Sequence, residues 1–424
     1  MKLIVRPSPL RGRLAIPASK SHTIRAVFLG LQAEGESVID NPLDSEDTRA
    51  AVRAARALGA EVSCSDDRWL VRGGGPVPHF TEAELDLGNS GTSMRILLGV
   101  ASLAREGQIT VTGDAQLCAR PAAPLLASLR DLGADICSKG KRECPPFVLR
   151  GGLHGGRTTI EAKTSQYVTS LLMACPFAEQ DSEIRVTTLN EAPYLDITLD
   201  WLATAGLHLE RDGYMHYRIP GRQKARPFSR AIPADFSSAT FFLGAGALGS
   251  NDVECIGLDP ADSQPDKRVT DYLKAMGADI RGTGDGIHVT ALPLRGCAID
   301  MNQTPDALPM MAVLGCFAGG ETRLHNVEHA RIKETDRIAA MACELRKMGA
   351  DIDEFPDGMR IRQSRLKGAD VHGHADHRIV MALAIAALAA DGPTTISTAE
   401  AMNVTFPGFT DLVRHLGGAV QLVQ

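Results

Sequence analysis

Arg331-Ile-Lys-Glu-Thr-Asp-Arg337 sets three cations and two carboxylates directly ahead of a helical pattern that runs from Ile338 to Met348. Alone, such a run reads equally well as a solvated first turn, laced by i,i+3 pairs such as Lys333 with Asp336 and Glu334 with Arg337. Its company changes that. Polar clusters also precede apolar helical patterns at Ala18-Ser-Lys-Ser21, Gly88-Asn-Ser-Gly-Thr92, Lys163-Thr-Ser-Gln166, Ala234-Asp-Phe-Ser-Ser238, Gln303-Thr-Pro-Asp306 and His374-Ala-Asp-His-Arg378. Ser, Thr, Asn and Asp are the usual N-caps, so capping explains any one of them. Together they imply converging helix N-termini, each favouring an anion by about 0.3 to 1 kcal/mol. Lys20, Arg25, Arg120, Lys333, Arg337 and Arg378 lie in or beside these clusters, in a chain whose formal net charge is −6. Arginine forks match carboxylate and phosphate oxygens, and lysine adds a compact charge. The expected ligand is a small molecule with several negative charges. Glu334, Asp306, His377 and Lys20 are the candidate acid/base groups, since proton transfer needs a titratable side chain within reach of the reacting atom. Asp306 and Asp376 also read as caps, and His377 as a buried structural histidine.

The rest of the chain sets the bounds. At about 150 residues per domain, a chain of this length predicts two or three domains. Aromatic residues make up only 4% of the 424 residues while Gly and Ala abound, which favours helices packed closely on sheets. The acidic balance argues against a general nucleic-acid binder. No apolar segment of a signal peptide follows Met1, and the longest apolar run, Ile379 to Ala390, reads as a buried helix rather than a membrane span. The nine cysteines are scattered without metal-ligand spacing, so no metal site is expected, and the thiols fit a reduced cytoplasmic protein. No phosphate-binding glycine loop occurs, and Gly73-Gly-Gly75 follows a strand without opening a helix.

A repeat positions the clusters. The phrase helix, Leu/Met-Gly-Ala-acid, strand recurs, strictly or loosely, around Gly59, Gly133, Gly206, Gly277, Gly349 and Gly417, at spacings of 74, 73, 71, 72 and 68 residues. Each glycine stands where a helix ends in a left-handed conformation and a strand follows. Ahead of each lies a second helix and a short strand, so the chain is an α+β protein of six modules. Two groups of three are expected to face one another across a cleft.

On these motifs the chain resembles the 5-enolpyruvylshikimate-3-phosphate (EPSP) synthases, the 3-phosphoshikimate 1-carboxyvinyltransferases. The matching segments are Pro17 to Arg25, Leu87 to Arg95, Arg120-Pro121, Thr164-Ser-Gln166, Pro193-Tyr194, Pro305-Asp306, Arg331 to Arg337 and Asp376-His-Arg378. They span almost the whole chain in the family's order. The resemblance implies two domains, each of three βαβαββ units about a pseudo-threefold axis. One would be residues 1–14 plus 234–424, completed by the N-terminal strand; the other would be the insertion 15–233. It implies transfer of the enolpyruvyl group of phosphoenolpyruvate to the 5-hydroxyl of shikimate 3-phosphate, with no metal or organic cofactor, in domains that close on substrate. Lys20, Arg120, Arg337 and Arg378 would cradle phosphoenolpyruvate, with Gly91 and Gln166 nearby. Ser21, Arg25, Thr164, Ser165, Gln166, Asp306 and Lys333 would hold the phosphoshikimate. Asn89, Thr92 and Tyr194, inside the same motifs, are counted with the substrate-binding residues. Glu334 and Lys20 are the candidates for protonating the methylene carbon, and Asp306 for taking the hydroxyl proton. A cytoplasmic monomer with no membrane or nucleic-acid partner is expected.

Three positions depart from the family. Glu191 replaces a phosphate-binding Ser common in the family, and a carboxylate about 5 Å from a phosphate costs about 3 kcal/mol at an effective dielectric near 20. Either Glu191 turns away or the bound acid lacks that phosphate. Val404 stands for a frequent Lys, and His329 for a frequent Asn. Ala115 occupies the place of the reactive Cys of the sister UDP-N-acetylglucosamine enolpyruvyltransferases, and Cys118 reads as incidental. Two other readings are a lyase or dehydratase acting on a shikimate-like acid, motivated by Glu191 and Val404, and a non-catalytic binding or RNA-end-processing relative.

Overall fold

Each repeat glycine ends its helix as expected: Gly59, Gly133, Gly206, Gly277, Gly349 and Gly417 all have φ between +75° and +100° in the computed structural model, which describes residues 1–424. At Gly349 the N–H reaches the Arg346 carbonyl at 2.9 Å and that of Ala350 reaches Leu345 at 3.0 Å. This double closure turns the chain straight into a strand.

The helices in chain order are α1 (Lys20–Gln32), α2 (Glu46–Ala57), α3 (Gly91–Ala101), α4 (Ala123–Asp131), α5 (Ser165–Ala174), α6 (Tyr194–Thr204), α7 (Phe236–Gly246), α8 (Val269–Ala275), α9 (Leu308–Phe317), α10 (Arg337–Lys347), α11 (His377–Leu388) and α12 (Phe409–His415). Odd-numbered helices are apolar on nearly every side and buried almost throughout. Such helices can exist only inside a core. Even-numbered helices carry a polar face and lie on the outside, as α2 does with Arg49, Arg53 and Arg56.

Six four-stranded sheets accompany them. In a typical unit, Ala298–Asp300 runs parallel to Glu321–His325, and an antiparallel hairpin of Asp351–Phe355 and Gly358–Arg362 completes the sheet. A parallel pair needs a crossover element, and here it is the buried helix α9. Every unit therefore presents the N-terminus of its buried helix at the end of a strand, where the polar clusters lie.

The chain divides into two compact units, Met1–Pro17 with Pro233–Gln424, and Ala18–Ile232. Lys2–Arg6 pairs with Thr394–Ser397 and Ala419–Val423, taking the fourth-strand place of the last repeat. Arg11–Ala15 runs beside Asp252–Ile256, and Ser229–Ala231 beside Glu34–Asp40. Arg11–Ala15 thus stays with the first unit. Phe242, Phe406 and Phe409 centre one core, with ring centroids 5.6 to 6.0 Å apart. Trp69, Phe147, Trp201 and Tyr217 lie in the other. No helix is long and apolar enough to cross a membrane.

Candidate active site

Within Ala18–Ile232 the polar residues gather at the starts of α1, α3 and α5. Lys20 opens α1, and its Nζ lies 2.8 Å from Asp47 Oδ2 on α2, with only 15% and 7% of the two side chains exposed. The Asp47 carbonyl in turn accepts from Ser93 Oγ at 3.1 Å and Ser90 Oγ at 3.4 Å, at the first turn of α3. Lys20 is thus held by a carboxylate whose own backbone is pinned. Asp47 escaped the sequence reading because it sits one residue inside the capping box Ser45-Glu-Asp-Thr48, where an acid is ordinary.

Arg25 is 2% exposed, and neutral oxygens receive it: Thr198 Oγ1 at 2.9 Å, the Ser21 carbonyl at 2.9 Å and Thr169 Oγ1 at 3.4 Å. Burial lowers its pKa to about 10, with the neighbouring Tyr194 working the other way. A buried guanidinium among hydroxyls is a prepared anion site, because an entering anion recovers what desolvation cost it. Ser21 contributes its backbone to this arrangement, and Tyr194 begins α6.

Arg120 Nη2 donates to Asn89 Oδ1 at 2.6 Å, and its Nη1 to the Asn89 carbonyl at 3.4 Å. Arg95 Nη1 donates to Gln166 Oε1 at 2.6 Å, and Gln166 Nε2 to Thr92 Oγ1 at 3.0 Å. Both guanidinia lie over Gly91, where an added Cβ would stand 2.8 Å from Arg120 Nη1 and 2.9 Å from Arg95 Nη1. Gly91 is what lets two cations approach the N-terminus of α3. Arg95 was quoted in a motif without a role. Only its place one helical turn beyond Gly91 could have signalled it.

Thr164 caps α5, and Ser165 is the helix's first residue. Here Glu191 neither turns away nor stands aside. Its Oε2 accepts from Thr164 Oγ1 at 2.9 Å, from Ser165 Oγ at 3.3 Å and from the Ser165 N–H at 3.4 Å, and the residue is 2% exposed. It takes these donors with a backbone at φ +59°, unusual for Glu. Of the two alternatives for Glu191, the structure does not show it turned away: a carboxylate is drawn to donors at a positive helix end.

In the other unit Arg337, with 1% of its side chain exposed, is shared by three carboxylates. Nε and Nη2 reach the two oxygens of Asp376 at 2.8 and 3.3 Å, Nη1 reaches Asp306 Oδ1 at 2.7 Å, and Nη2 reaches Glu334 Oε2 at 2.5 Å. Arg378 Nη2 lies 3.0 Å from Asp306 Oδ2 and donates to Ser237 Oγ at 2.8 Å, while Lys333 Nζ is 3.9 Å from Asp306 Oδ1. Burial alone would push Asp306 up, yet Arg378, Lys333 and Arg337 together hold it well below the usual carboxylate range. Burial would likewise lower Arg337, but Asp376, Glu334 and Asp306 raise it instead. Lys333, Arg337 and Arg378 thus face Asp306, Glu334 and Asp376 at charge balance. Asp376 is both the cap of α11, accepting from the Arg378 N–H at 2.9 Å, and the main partner of Arg337. His377 is 2% exposed in the first turn of the same helix. His329 is buried beside the Asn302 carbonyl, 3.2 Å from its Nε2, and Val404 ends the short helix Ala399–Val404.

The structure therefore gathers Lys20, Asn89, Gly91, Thr92, Arg120, Thr164, Ser165 and Gln166 at three neighbouring helix starts, and Asp306, Lys333, Glu334, Arg337 and Arg378 into one ionic network. Each of these two clusters can bind anions by exchange for its own carboxylates and can supply or accept protons beside them.

The sequence profile of the EPSP synthase (3-phosphoshikimate 1-carboxyvinyltransferase) family matches residues 4–413. The chain is 47% identical over 423 residues to a 3-phosphoshikimate 1-carboxyvinyltransferase of Ruminiclostridium cellulolyticum, covering 100% of both chains. It is 41% identical over 431 residues to one from Methanococcoides burtonii, covering 100% of this chain and 99% of that one. Among solved structures it superposes on an EPSP synthase of Acinetobacter baumannii with a TM-score of 0.83 at 28% identity, covering 100% of both chains. It also shares its fold with the enolpyruvyl transferase NikO of Streptomyces tendae, TM-score 0.80 at 20% identity, over 99% of this chain and 98% of that one.

Proposed function

The chain belongs to the EPSP synthase (3-phosphoshikimate 1-carboxyvinyltransferase) family, and from that premise we propose how its residues carry the reaction. The protein transfers the enolpyruvyl group of phosphoenolpyruvate to the 5-hydroxyl of shikimate 3-phosphate and releases phosphate. The full-length match to curated relatives carries this conclusion over the lyase and binding-protein readings.

In the addition step the 5-hydroxyl oxygen bonds to C2 of phosphoenolpyruvate, the methylene carbon gains a proton, and the hydroxyl proton leaves. In the second step the C2–O bond to phosphate breaks and the methyl group returns a proton. Lys20, Arg120, Arg337 and Arg378 take the carboxylate and phosphate of phosphoenolpyruvate. Ser21, Arg25, Thr164, Ser165, Gln166, Tyr194 and Lys333 take the phosphorylated acid. Glu334 and Lys20 serve the carbon protonation and its reversal.

Asp306 gains a particular role from its surroundings. Held far below the usual carboxylate range while three cations face it, it is a feeble base in that setting. Phosphoenolpyruvate draws Arg337 and Arg378 to its own anions. Losing one cation at about 4 Å changes the interaction by about 4 kcal/mol at an effective dielectric of 20, equivalent to roughly three pKa units. Asp306 thus becomes able to accept the hydroxyl proton only when the acceptor for that hydroxyl is bound. Fixed cations left around the developing charge supply the larger share of stabilisation. We place this work in the cytoplasm, where the nine free thiols would stay reduced.

The test is phosphate release by purified protein given phosphoenolpyruvate with shikimate 3-phosphate or with shikimate, the products weighed by mass spectrometry. An enolpyruvyl adduct formed only with the phosphorylated acid is expected. Loss of water from shikimate alone would overturn the assignment.

A further inference from the structure

Glu191 occupies donors that the reaction needs for something else. Thr164 Oγ1, Ser165 Oγ and the Ser165 N–H all converge on one of its carboxylate oxygens, at 2.9, 3.3 and 3.4 Å. On the reading above these residues take the phosphorylated acid, and Glu191 stands where many of the family carry a phosphate-binding Ser. Donors converging on one oxygen at a helix start cannot serve a second anion in the same place. We propose that Glu191 is a resident anion in the 3-phosphate cradle, a built-in competitor that every phosphorylated substrate must expel, and so a residue that determines specificity for the phosphate.

The local structure fits a side chain whose place at these donors can be exchanged. Glu191 lies in the short turn between the strand Ser182–Leu189 and α6, whose first N–H, that of Tyr194, reaches the Glu191 carbonyl at 3.0 Å. Its backbone is left-handed at φ +59°, a region that favours glycine or asparagine. The carboxylate's three hydrogen bonds tie this turn to the start of α5. Once displaced, the side chain leaves a buried position, since the residue is 2% exposed while seated.

Displacement discriminates by charge. A phosphate monoester brings nearly two charges and three acceptor oxygens and can replace a single carboxylate at these donors. Unphosphorylated shikimate has nothing to put there, so it gains no cradle and leaves Glu191 seated. Apparent affinity for the phosphorylated acid is lowered by the fraction of molecules in which the cradle is open. Removing the competitor restores that factor.

The experiment compares wild type with Glu191→Ser and Glu191→Gln, each checked for folding by calorimetry, using titration with shikimate 3-phosphate, shikimate and inorganic phosphate, and steady-state kinetics with both substrates varied. Both variants should bind shikimate 3-phosphate about tenfold or more tightly than wild type. The gain should appear in KM for that substrate and not in KM for phosphoenolpyruvate, with shikimate affinity unmoved. Millimolar inorganic phosphate should raise the Tm of Glu191→Ser by more than it raises that of wild type. Glu191→Gln keeps the shape while removing the charge, so it carries the test should the serine variant fail to fold. Folded variants that bind shikimate 3-phosphate no more tightly than wild type, or more weakly, overturn the proposal. Failure of wild type to turn over phosphoenolpyruvate with shikimate 3-phosphate would overturn the functional reading instead, and the phosphate titration would still judge the cradle.

Discussion

Asp376→Asn separates the charge of a buried residue from its shape. Asp376 is 0% exposed; its oxygens receive Arg337 Nε at 2.8 Å and Nη2 at 3.3 Å, and one of them also accepts the Arg378 N–H at 2.9 Å. Asparagine is as good an N-cap as aspartate, so α11 should still start where it does. What is lost is one negative charge and one of two acceptors facing a guanidinium with 1% of its side chain exposed. Removing one partner of a buried ion pair costs about 3 to 5 kcal/mol, because the other charge stays behind uncompensated. Glu334 and Asp306 remain at 2.5 and 2.7 Å from Arg337, which sets the expected loss near the lower end, about 3 kcal/mol. The assay must watch the right unit. Both tryptophans, Trp69 and Trp201, lie in Ala18–Ile232, so their fluorescence is blind to this change, and calorimetry or far-UV circular dichroism is required. Asp376→Ala, which removes the cap too, should lose about 1 kcal/mol more. If Asp376→Asn unfolded within about 1 kcal/mol of wild type, the claim that a balanced ionic network holds Arg337 in place would be refuted.

Gly91→Ala sets a methyl group less than 3 Å from Arg95 and Arg120; it should weaken phosphoenolpyruvate binding, read as a raised KM, with a smaller effect on KM for shikimate 3-phosphate. Asp306→Asn abolishes the proton acceptor and leaves Arg378 and Lys333 without their carboxylate; kcat should fall at least a hundredfold, about the low end for a general base, in single-turnover rates as well as in steady state. Glu344, with 1% of its side chain exposed, accepts from Lys347, the His372 N–H and His374 Nε2. Burial alone would raise its pKa, but Lys347, His372 and His374 bring it below the ordinary value. A depressed carboxylate contributes stability that is fully present above its unfolded pKa, about 4.3, and lost as pH falls through the folded value. Glu344→Gln should therefore flatten the decline of Tm below about pH 4.3, and an unchanged acid profile would sink that assignment.

The repeat was legible because it is written in backbone chemistry. A glycine needed at positive φ, recurring about every 72 residues, cannot be hidden by side-chain drift, and all six sit where a helix closes into a strand. The cations were legible for a different reason: in an acidic chain, Lys20, Arg120, Arg337 and Arg378 at helix starts have no cheap structural excuse. Of their carboxylate partners only Glu334 was legible, as the i,i+3 neighbour of Arg337. Asp47, Asp376 and Asp306 stand where acids ordinarily cap helices, and a cap and a counter-ion look alike until the chain is folded. Arg95 hid inside a recognised motif, and Glu191 was noticed only as a misfit.

The hidden residues have one thing in common that bears on function. Lys20 rests on Asp47, Arg337 on Asp376, Glu334 and Asp306, and the start of α5 on Glu191. Lys20, Lys333, Arg337, Arg378 and the start of α5, all proposed to meet a substrate anion, already hold an internal one. Without these partners the buried cations would suffer the full desolvation cost, several kcal/mol per ion. With them, substrate binding is an exchange of anions rather than the filling of empty charge. Exchange favours ligands with more charge than the carboxylates they replace, and for Asp306 it relieves the cations that hold its carboxyl below the usual range. A site built this way recognises its substrates and arms its bases in the same event. Arg25, met by neutral oxygens, stands apart, and so should be the cation whose removal most directly weakens binding of the phosphorylated acid.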